Sequence, residues 1–197
     1  MIEAANITGL ILCGGSGSRF GGRDKPLEQL AGMPIVAHVH ERLAPQVGHI
    51  VISCNRNVDT YRRWGDATVT DERVDRGPLE GILAGMTSSR TDYLFVCPGD
   101  APFLPATLVA RLTSALCRAD AAIAMPHDGK QRQLLFMLIR RTLATPLREY
   151  LADGGRSVHG FVETQHVAIV DAAFESDAFV NINSPADLQF AASRVHT

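Results

Sequence analysis

The sequence has no apolar run of membrane-spanning length, and its start, with Glu3 and no basic stretch, does not have the make-up of a secretory leader. A cytoplasmic location is the expectation. Cysteine is scarce: Cys13, Cys54, Cys97 and Cys117 are scattered with no C-x-x-C pair, and three of them end or sit within apolar runs. That pattern fits small buried residues and argues against disulfides or a thiolate metal site. The seven histidines show no H-E-x-x-H or comparable spacing. His38 and His40 lie two apart, which on a helix puts them on different faces. A transition-metal site is therefore not expected. Neither sign of charge is in surplus. The net charge of −2 gives the chain no overall attraction to nucleic acid or to anionic membrane. Any binding of phosphate must come from a local arrangement. Repeats, linkers and low-complexity tracts are missing as well.

What is present is the composition of an ordinary globular domain: 197 residues, 46% hydrophobic and 20% charged. That length suits one domain with a substantial core. Near its start an apolar run, Ile7 to Cys13, stops at Gly14, and five glycines fall within the nine residues from Gly14 to Gly22. A short apolar run bounded by glycine reads as a buried parallel strand. Glycine lets backbone N–H groups approach a ligand closely, and a strand feeding such a loop can wrap amides around an anion. Arg19 and Lys25 add positive charge suited to polyphosphate. The familiar phosphate loops do not fit. A P-loop needs Gly-Lys followed by Ser or Thr, whereas Gly22 precedes Arg23 and Lys25 precedes Pro26. The dinucleotide fingerprint starts at Gly15 and Gly17, then fails because Phe20 holds its third glycine position.

Downstream, Pro34 to Leu43 reads as a helix, with Ile35, Val39 and Leu43 four apart. Gly48 to Cys54 is a second strand, Tyr61 to Trp64 a short helix, and Ala67 to Thr70 a third strand ending at Asp71. A polar stretch leads to Gly77-Pro78-Leu79-Glu80-Gly81 and a helix to Met86. Tyr93 to Cys97 is the next strand, ending in Pro98-Gly99-Asp100-Ala101-Pro102, and Pro105 to Leu116 has helical periodicity. Ala121 to Met125 and Leu134 to Ile139 read as strands around the turn His127-Asp128-Gly129. Arg141 to Leu151 and Val158 to Val162 read as helices, and Val167 to Val170 and Phe179 to Ile182 as short strands. Asn183-Ser184-Pro185 then opens a terminal helix, with Ser184 as its cap. Alternating strands and helices imply β–α–β units. The expected fold is α/β: a single domain, with a doubly wound, mostly parallel sheet and helices on both faces. The early strands end in Gly14, Asn55, Asp71 and Asp100. Open α/β sheets bind ligands outside those ends, so these four features should converge on one crevice.

Asp100 is the sharpest single candidate, because two prolines stiffen the turn that aims its carboxylate. Magnesium takes hard oxygen ligands, commonly one or two carboxylates plus phosphate oxygens. The other reading is a cap for the Pro105 helix, for which Asp100 lies several residues early. Lys25 and Arg19 would neutralise phosphate charge, above all on a leaving pyrophosphate. Asp71 could accept from a ribose hydroxyl or a base N–H, or simply end a strand. Ser53 or Asn55 could touch the base or ribose. Gly77 and Pro78 offer close backbone approach and a fixed bend against a planar base. Asn181 and Asn183 flank Ile182 and could bind a second substrate, or serve turn and capping roles.

Taken together these residues resemble the molybdenum cofactor guanylyltransferases, and the likeness extends over most of the chain. It rests on Leu12, Gly14, Gly15, Arg19 and the Asp24-Lys25 pair, then Pro45-Gln46-Val47, Ser53-Cys54-Asn55-Arg56-Asn57 and Asp71. Gly77-Pro78-Leu79, Asp100-Ala101-Pro102, Asp128-Gly129 and Val180 to Pro185 complete it. The resemblance implies a Rossmann-like nucleotidyltransferase that uses GTP and molybdenum-bound molybdopterin, with Mg²⁺ as cofactor. It implies a nucleotide-binding half over about 7–105 and a pterin-acceptor half over about 106–197. On that pattern Leu12, Cys13, Gly14, Gly15, Lys25, Ser53, Asn55, Asp71, Gly77, Pro78 and Asp100 bind nucleotide, Asp100 through the metal, while Arg19, Lys25 and Asp100 serve the chemistry. Asn181 and Asn183 would take the acceptor. Molybdenum-insertion and GTP-binding adaptor proteins of the same pathway are implied as partners, and neither nucleic acid nor membrane. Two positions depart from the pattern: Cys13 stands where the family usually has Ala, and Pro98-Gly99 replaces a Cys-containing pair. Ser53 stands where Asn also occurs. The rival readings are a molybdopterin cytidylyltransferase, a sugar-phosphate nucleotidyltransferase, which usually carries extra domains, and a GTP-binding switch. The switch would want a P-loop and N-K-x-D, and the chain has neither.

Overall fold

The computed structural model describes residues 2–14, 23–71 and 77–195. Its centre is β1, Ile7–Leu12, which pairs in parallel with β4, His49–Ser53, on one side and with β6, Tyr93–Pro98, on the other. These strands read as continuous apolar runs because both faces of the sheet are covered. Their side chains alternate: Ile7, Ile11, Phe95 and Cys97 enter one core, Leu10, Leu94 and Val96 the other. The first core is closed by α1, Ile35–Leu43, and α4, Leu108–Ala119. The second is closed by α3, Pro78–Ser88, α5, Ala144–Ala152, and α6, Val158–Val162. In α4 the four-residue spacing of Leu108, Leu112 and Leu116 is the buried stripe that fixes its orientation.

Beyond β4 lies β5, Ala67–Val69, also parallel. Beyond β6 the sheet continues through β8, Met137–Arg140, then β7, Ile123–His127, then β9, Val167–Asp171. The full order is β5-β4-β1-β6-β8-β7-β9. β8 runs antiparallel to both of its neighbours, while β7 and β9 pair in parallel. The sheet is thus mostly parallel, with helices on both faces, as expected from the sequence. The reversal follows from the turn after β7. Asp128 accepts from the N–H groups of Lys130 and Gln131, both at 2.8 Å, and Gly129 takes a φ of +91°. Those bonds, that of Gln131 first, hold the Asp128 carboxyl below the usual carboxylate range.

Four sequence expectations are corrected. Phe179 to Ile182 is not a strand: Phe179 ends the 3₁₀ segment Ala173–Phe179, and Ile182 instead donates its N–H to the Asp100 carbonyl at 2.9 Å. The strand expected from Leu134 starts at Met137, because Phe136 N–H closes a turn on the Gln133 carbonyl at 3.0 Å. The short helix after β4 is α2, Val58–Tyr61, so it ends where the sequence suggested it would start. A small antiparallel pair, β2, Gln29–Leu30, with β3, Met33–Pro34, carried no pattern long enough to signal it. Its Leu30 packs with Ile35, Ile182 and Ala191 in a third cluster under the last helix, α7, Pro185–Val195.

Candidate active site

The strand order reverses on either side of β1, and the register brings three strand ends level. Leu12 pairs with Ser53 and with Pro98, so Gly14, Asn55 and Asp100 emerge side by side. Bonds beyond the strands hold them there: Cys13 N–H donates to the Ser53 carbonyl at 2.8 Å, and Gly99 N–H to the Leu12 carbonyl at 2.9 Å. A cavity of about 540 Å³ opens above these ends. Leu12, Gly14, Ser53, Asn55, Asp71, Gly77, Pro78, Asp100 and Asn181 line it, together with Gly81, Pro98 and Leu135. Such a crevice at a switch point is where open α/β sheets take ligands.

On one wall, Asn55 and Asp71 grip each other reciprocally. Asn55 Nδ2 donates to Asp71 Oδ2 at 2.7 Å, and Asp71 N–H donates to Asn55 Oδ1 at 2.9 Å. Asn55 therefore aims the Asp71 carboxylate, whose other oxygen is 3.5 Å from the buried Ser53 hydroxyl. The roof is the start of α3. Gly77 caps it with φ +86°, a backbone region that side chains rarely enter, and Pro78 supplies the fixed φ of a first helical position. Gly81 lies so close that a Cβ there would stand 2.5 Å from the Ser53 hydroxyl and 3.2 Å from Asp71 Oδ1.

On the other wall Lys25 forms an ion pair with Asp100 Oδ2, both side chains being largely buried. Lys25 Nζ also donates to Asn183 Oδ1 at 2.8 Å. The second oxygen of Asp100 is buried without a hydrogen-bond partner, and so is Asn181 Oδ1. Orphaned buried oxygens are costly unless something else satisfies them. Two such hard donors on residues that line one cavity suit a divalent cation completed by phosphate oxygens. Among the described residues no group of three or more His, Cys, Asp or Glu is gathered to hold a metal. The Asp100 and Asn181 oxygens thus fit a divalent cation that borrows further ligands from substrate.

Cys13 does not line the cavity: its side chain is buried in the first core and its N–H is already engaged. Gly15 and Arg19 lie outside the described residues. Sequence reasoning missed the Asp24 anchor. Asp24 accepts from the Tyr61 hydroxyl at 2.8 Å and from Asn57 Nδ2 at 2.9 Å, and so fixes the approach to Lys25. Tyr61 is fully buried; burial foremost, then the neighbouring Cys13 and Asp24, pushes its hydroxyl far above the ordinary phenol value. The aspartate in the Asp24-Lys25 pair was the signal, but nothing in the sequence said where it would dock. Leu135 was hidden inside a stretch that reads as strand.

Residues 9–169 match the MobA-like NTP transferase domain. The chain belongs to that family. The MobA-like domain makes it a nucleotidyltransferase, and similarity to relatives extends well past the matched residues. It is 44% identical to the molybdenum cofactor guanylyltransferase of Ralstonia nicotianae, over 98% of this chain and 100% of the relative. It is 36% identical to that of Shewanella halifaxensis, over 94% and 93%. The molybdopterin-guanine dinucleotide biosynthesis protein A of Archaeoglobus fulgidus has the same fold, with a TM-score of 0.80 at 22% identity over 96% of this chain and 98% of that one. No helix among the described residues of this MobA-like chain is long and apolar enough to cross a membrane.

Proposed function

We propose that this chain transfers GMP from GTP to the phosphate of molybdenum-bound molybdopterin, giving the guanine dinucleotide cofactor and pyrophosphate. The observation that carries this reading is the 44% identity to a molybdenum cofactor guanylyltransferase over the whole of that relative. The cavity described above supplies the means. Leu12, Gly14, Ser53, Asn55, Asp71, Gly77 and Pro78 would hold the nucleoside, joined by Gly15. Guanine presents N1–H and N2–H donors side by side, and the aimed carboxylate of Asp71 can accept from such a pair. Lys25, with Arg19, would sit against the triphosphate. Asp100, with Asn181 beside it, would hold Mg²⁺, which when bound neutralises phosphate charge and favours departure of pyrophosphate. The acceptor belongs to the half over about 106–197, which reaches the cavity through Leu135 and Asn181.

In the reaction an oxygen of the pterin phosphate forms a bond to the α-phosphorus of GTP, and the bond from that phosphorus to the bridging oxygen breaks. The electron pair leaves with pyrophosphate. The attacking phosphate is already ionised at neutral pH, so no residue has to remove a proton. The site's task is alignment and charge neutralisation, which dominate phosphoryl and nucleotidyl transfer. Gly14 bears on base choice. Among the described residues a Cβ there would meet Asn55 Nδ2, at an ordinary contact distance of 3.7 Å, so these neighbours tolerate alanine and the added methyl occupies ligand space. GTP should exceed CTP and ATP in kcat/KM by more than about tenfold, a difference on the order of 1.4 kcal/mol. Gly14→Ala should narrow that margin. The measurement is pyrophosphate release with molybdopterin and each nucleotide in turn; equal or better use of CTP would replace the guanylyl reading with a cytidylyl one.

A further inference from the structure

Of the 19 lysines and arginines only two are lysine, Lys25 and Lys130. Lys130 is exposed on the turn after β7, whereas Lys25 is held by two oxygens. One of those oxygens, Asn183 Oδ1, comes from the segment that precedes α7. That segment is pinned at consecutive residues. Ile182 N–H donates to the Asp100 carbonyl at 2.9 Å, and Asn183 N–H donates to Asp187 Oδ2 at 2.8 Å. Asp187 in turn donates its own N–H to Ser184 Oγ at 3.2 Å, in the spacing of a helix capping box. Its carboxyl is held below the usual range, first by the Asn183 N–H and also by the nearby charge of Lys25. In an ordinary capping box the acidic residue reaches back to the cap. Here it reaches the cap, Ser184, and also one residue further, to the residue whose side chain grips Lys25.

We propose that Asp187 is a positioning residue for the transfer chemistry: by fixing Asn183 it lets the last helix hold Lys25 beside Asp100. This rests on the functional reading above for what Lys25 does once placed, but not for whether it is placed. The Asn183 side chain is short, so its hold on Lys25 depends on where its backbone is kept. Without the Asp187 acceptor the exposed Asn183 N–H turns to water, the segment gains freedom, and Lys25 keeps only Asp100. A shift of this size at a charge that must meet developing charge costs rate and leaves the fold standing.

The test is amine acetylation of the whole protein, read by peptide mass spectrometry, with Lys130 as the internal reference. In the wild type Lys25 should react more slowly than Lys130 by at least about fivefold, since its Nζ is largely buried and engaged by two oxygens while Lys130 is exposed. Asp187→Ala should raise the Lys25-to-Lys130 ratio at least about threefold and lower kcat by a similar factor. Asp187→Asn keeps an acceptor oxygen and should restore both. Ser184→Ala removes the cap alone, so it should lower thermal stability and leave the ratio within about twofold of wild type. Asn183→Ala should raise the ratio as Asp187→Ala does, and it decides the matter if the latter fails to fold. An unchanged ratio in the Asp187 and Asn183 variants, or an equal rise in Ser184→Ala, overturns the proposal. Mg²⁺ with GTP should slow Lys25 labelling further; if it does not, the nucleotide reading fails while the nucleotide-free comparison still decides the role of Asp187.

Discussion

Gly99 has no room for a side chain because Cys13 stands against it. A Cβ on Gly99 would lie 2.5 Å from the Cys13 sulfur and 3.2 Å from the Leu12 carbonyl. Cys13 and Gly99 are therefore in contact, and the Cys13 sulfur fills the space that a side chain at Gly99 would need. Gly99→Ala should destabilise the protein by about 1–3 kcal/mol, the usual cost of overpacking a filled core. Adding Cys13→Ala should recover much of that loss. Denaturant unfolding of the two single variants and the double variant measures the coupling, and simple additivity would show the contact to be immaterial. Lys25→Ala makes a different kind of change, since it supports no core. It leaves the largely buried Asp100 carboxylate without its partner, so it should lower the unfolding midpoint, and it should lower turnover by on the order of 2–4 kcal/mol. Pyrophosphate release at a near-normal rate would mean that the triphosphate lies elsewhere. At this scale the sequence was informative where a residue ends a strand. Gly14, Asn55, Asp71 and Asp100 could be placed together because strand ends are fixed by the sheet. Asp24, Tyr61 and Asn57 could not, because their meeting depends on how a short helix docks 37 residues downstream of Asp24.

Among the elements, α3 governs the roof of the cavity. It rides close to β1 because Gly85 faces Leu10, where a Cβ would be 2.7 Å from one Leu10 methyl and 2.9 Å from the other. Leu10 is fully buried and cannot move aside. Gly85→Ala gains up to about 1 kcal/mol in helix propensity and meets an overpacking cost of about 1–3 kcal/mol. The expected result is a net loss of stability together with a higher KM for GTP, because lifting α3 moves Gly77, Pro78 and Gly81 away from the strand ends. Urea unfolding and steady-state kinetics on the same preparation check both halves, and a more stable variant with an unchanged KM would refute the linkage. The helices and the buried strands were legible from period and length, since each buries a face or a whole segment. The Phe179 to Ile182 stretch was not. Its apolar residues serve two separate clusters, Phe179 in the first core and Ile182 under α7, rather than a strand of the sheet. The reversal at β8 was equally silent, since a strand buried on both faces has the same composition in either direction.

For the molecule as a whole, three buried thiols lie under the strand ends and one is exposed. Burial pushes the Cys54 thiol up to about 11, helped by the charges of Asp24 and Asp71, and raises Cys13 and Cys97 as well. Thiolate is the reactive form, so at pH 8 a disulfide reagent should titrate Cys117 in the native protein and all four cysteines after denaturation. These same groups bear on stability. Their folded-state values are raised, so their contribution is complete below the ordinary thiol value near 9 and is lost as pH climbs through the folded values. For Cys54 the window runs from about 9 to about 11, and the unfolding midpoint should fall across it. Cys54→Ala should flatten that fall. The bond between Lys25 and Asn183 has a consequence at the same scale, since it joins residues 158 positions apart. So wide a closure is entropically expensive until most of the intervening chain is in place. A refolding molecule can collapse, bury its strands and regain its spectroscopic signal while the two are still strangers. Turnover should therefore be the last property to return, and enzyme activity becomes a clock for the final docking of α7, ticking later than any optical probe of the sheet.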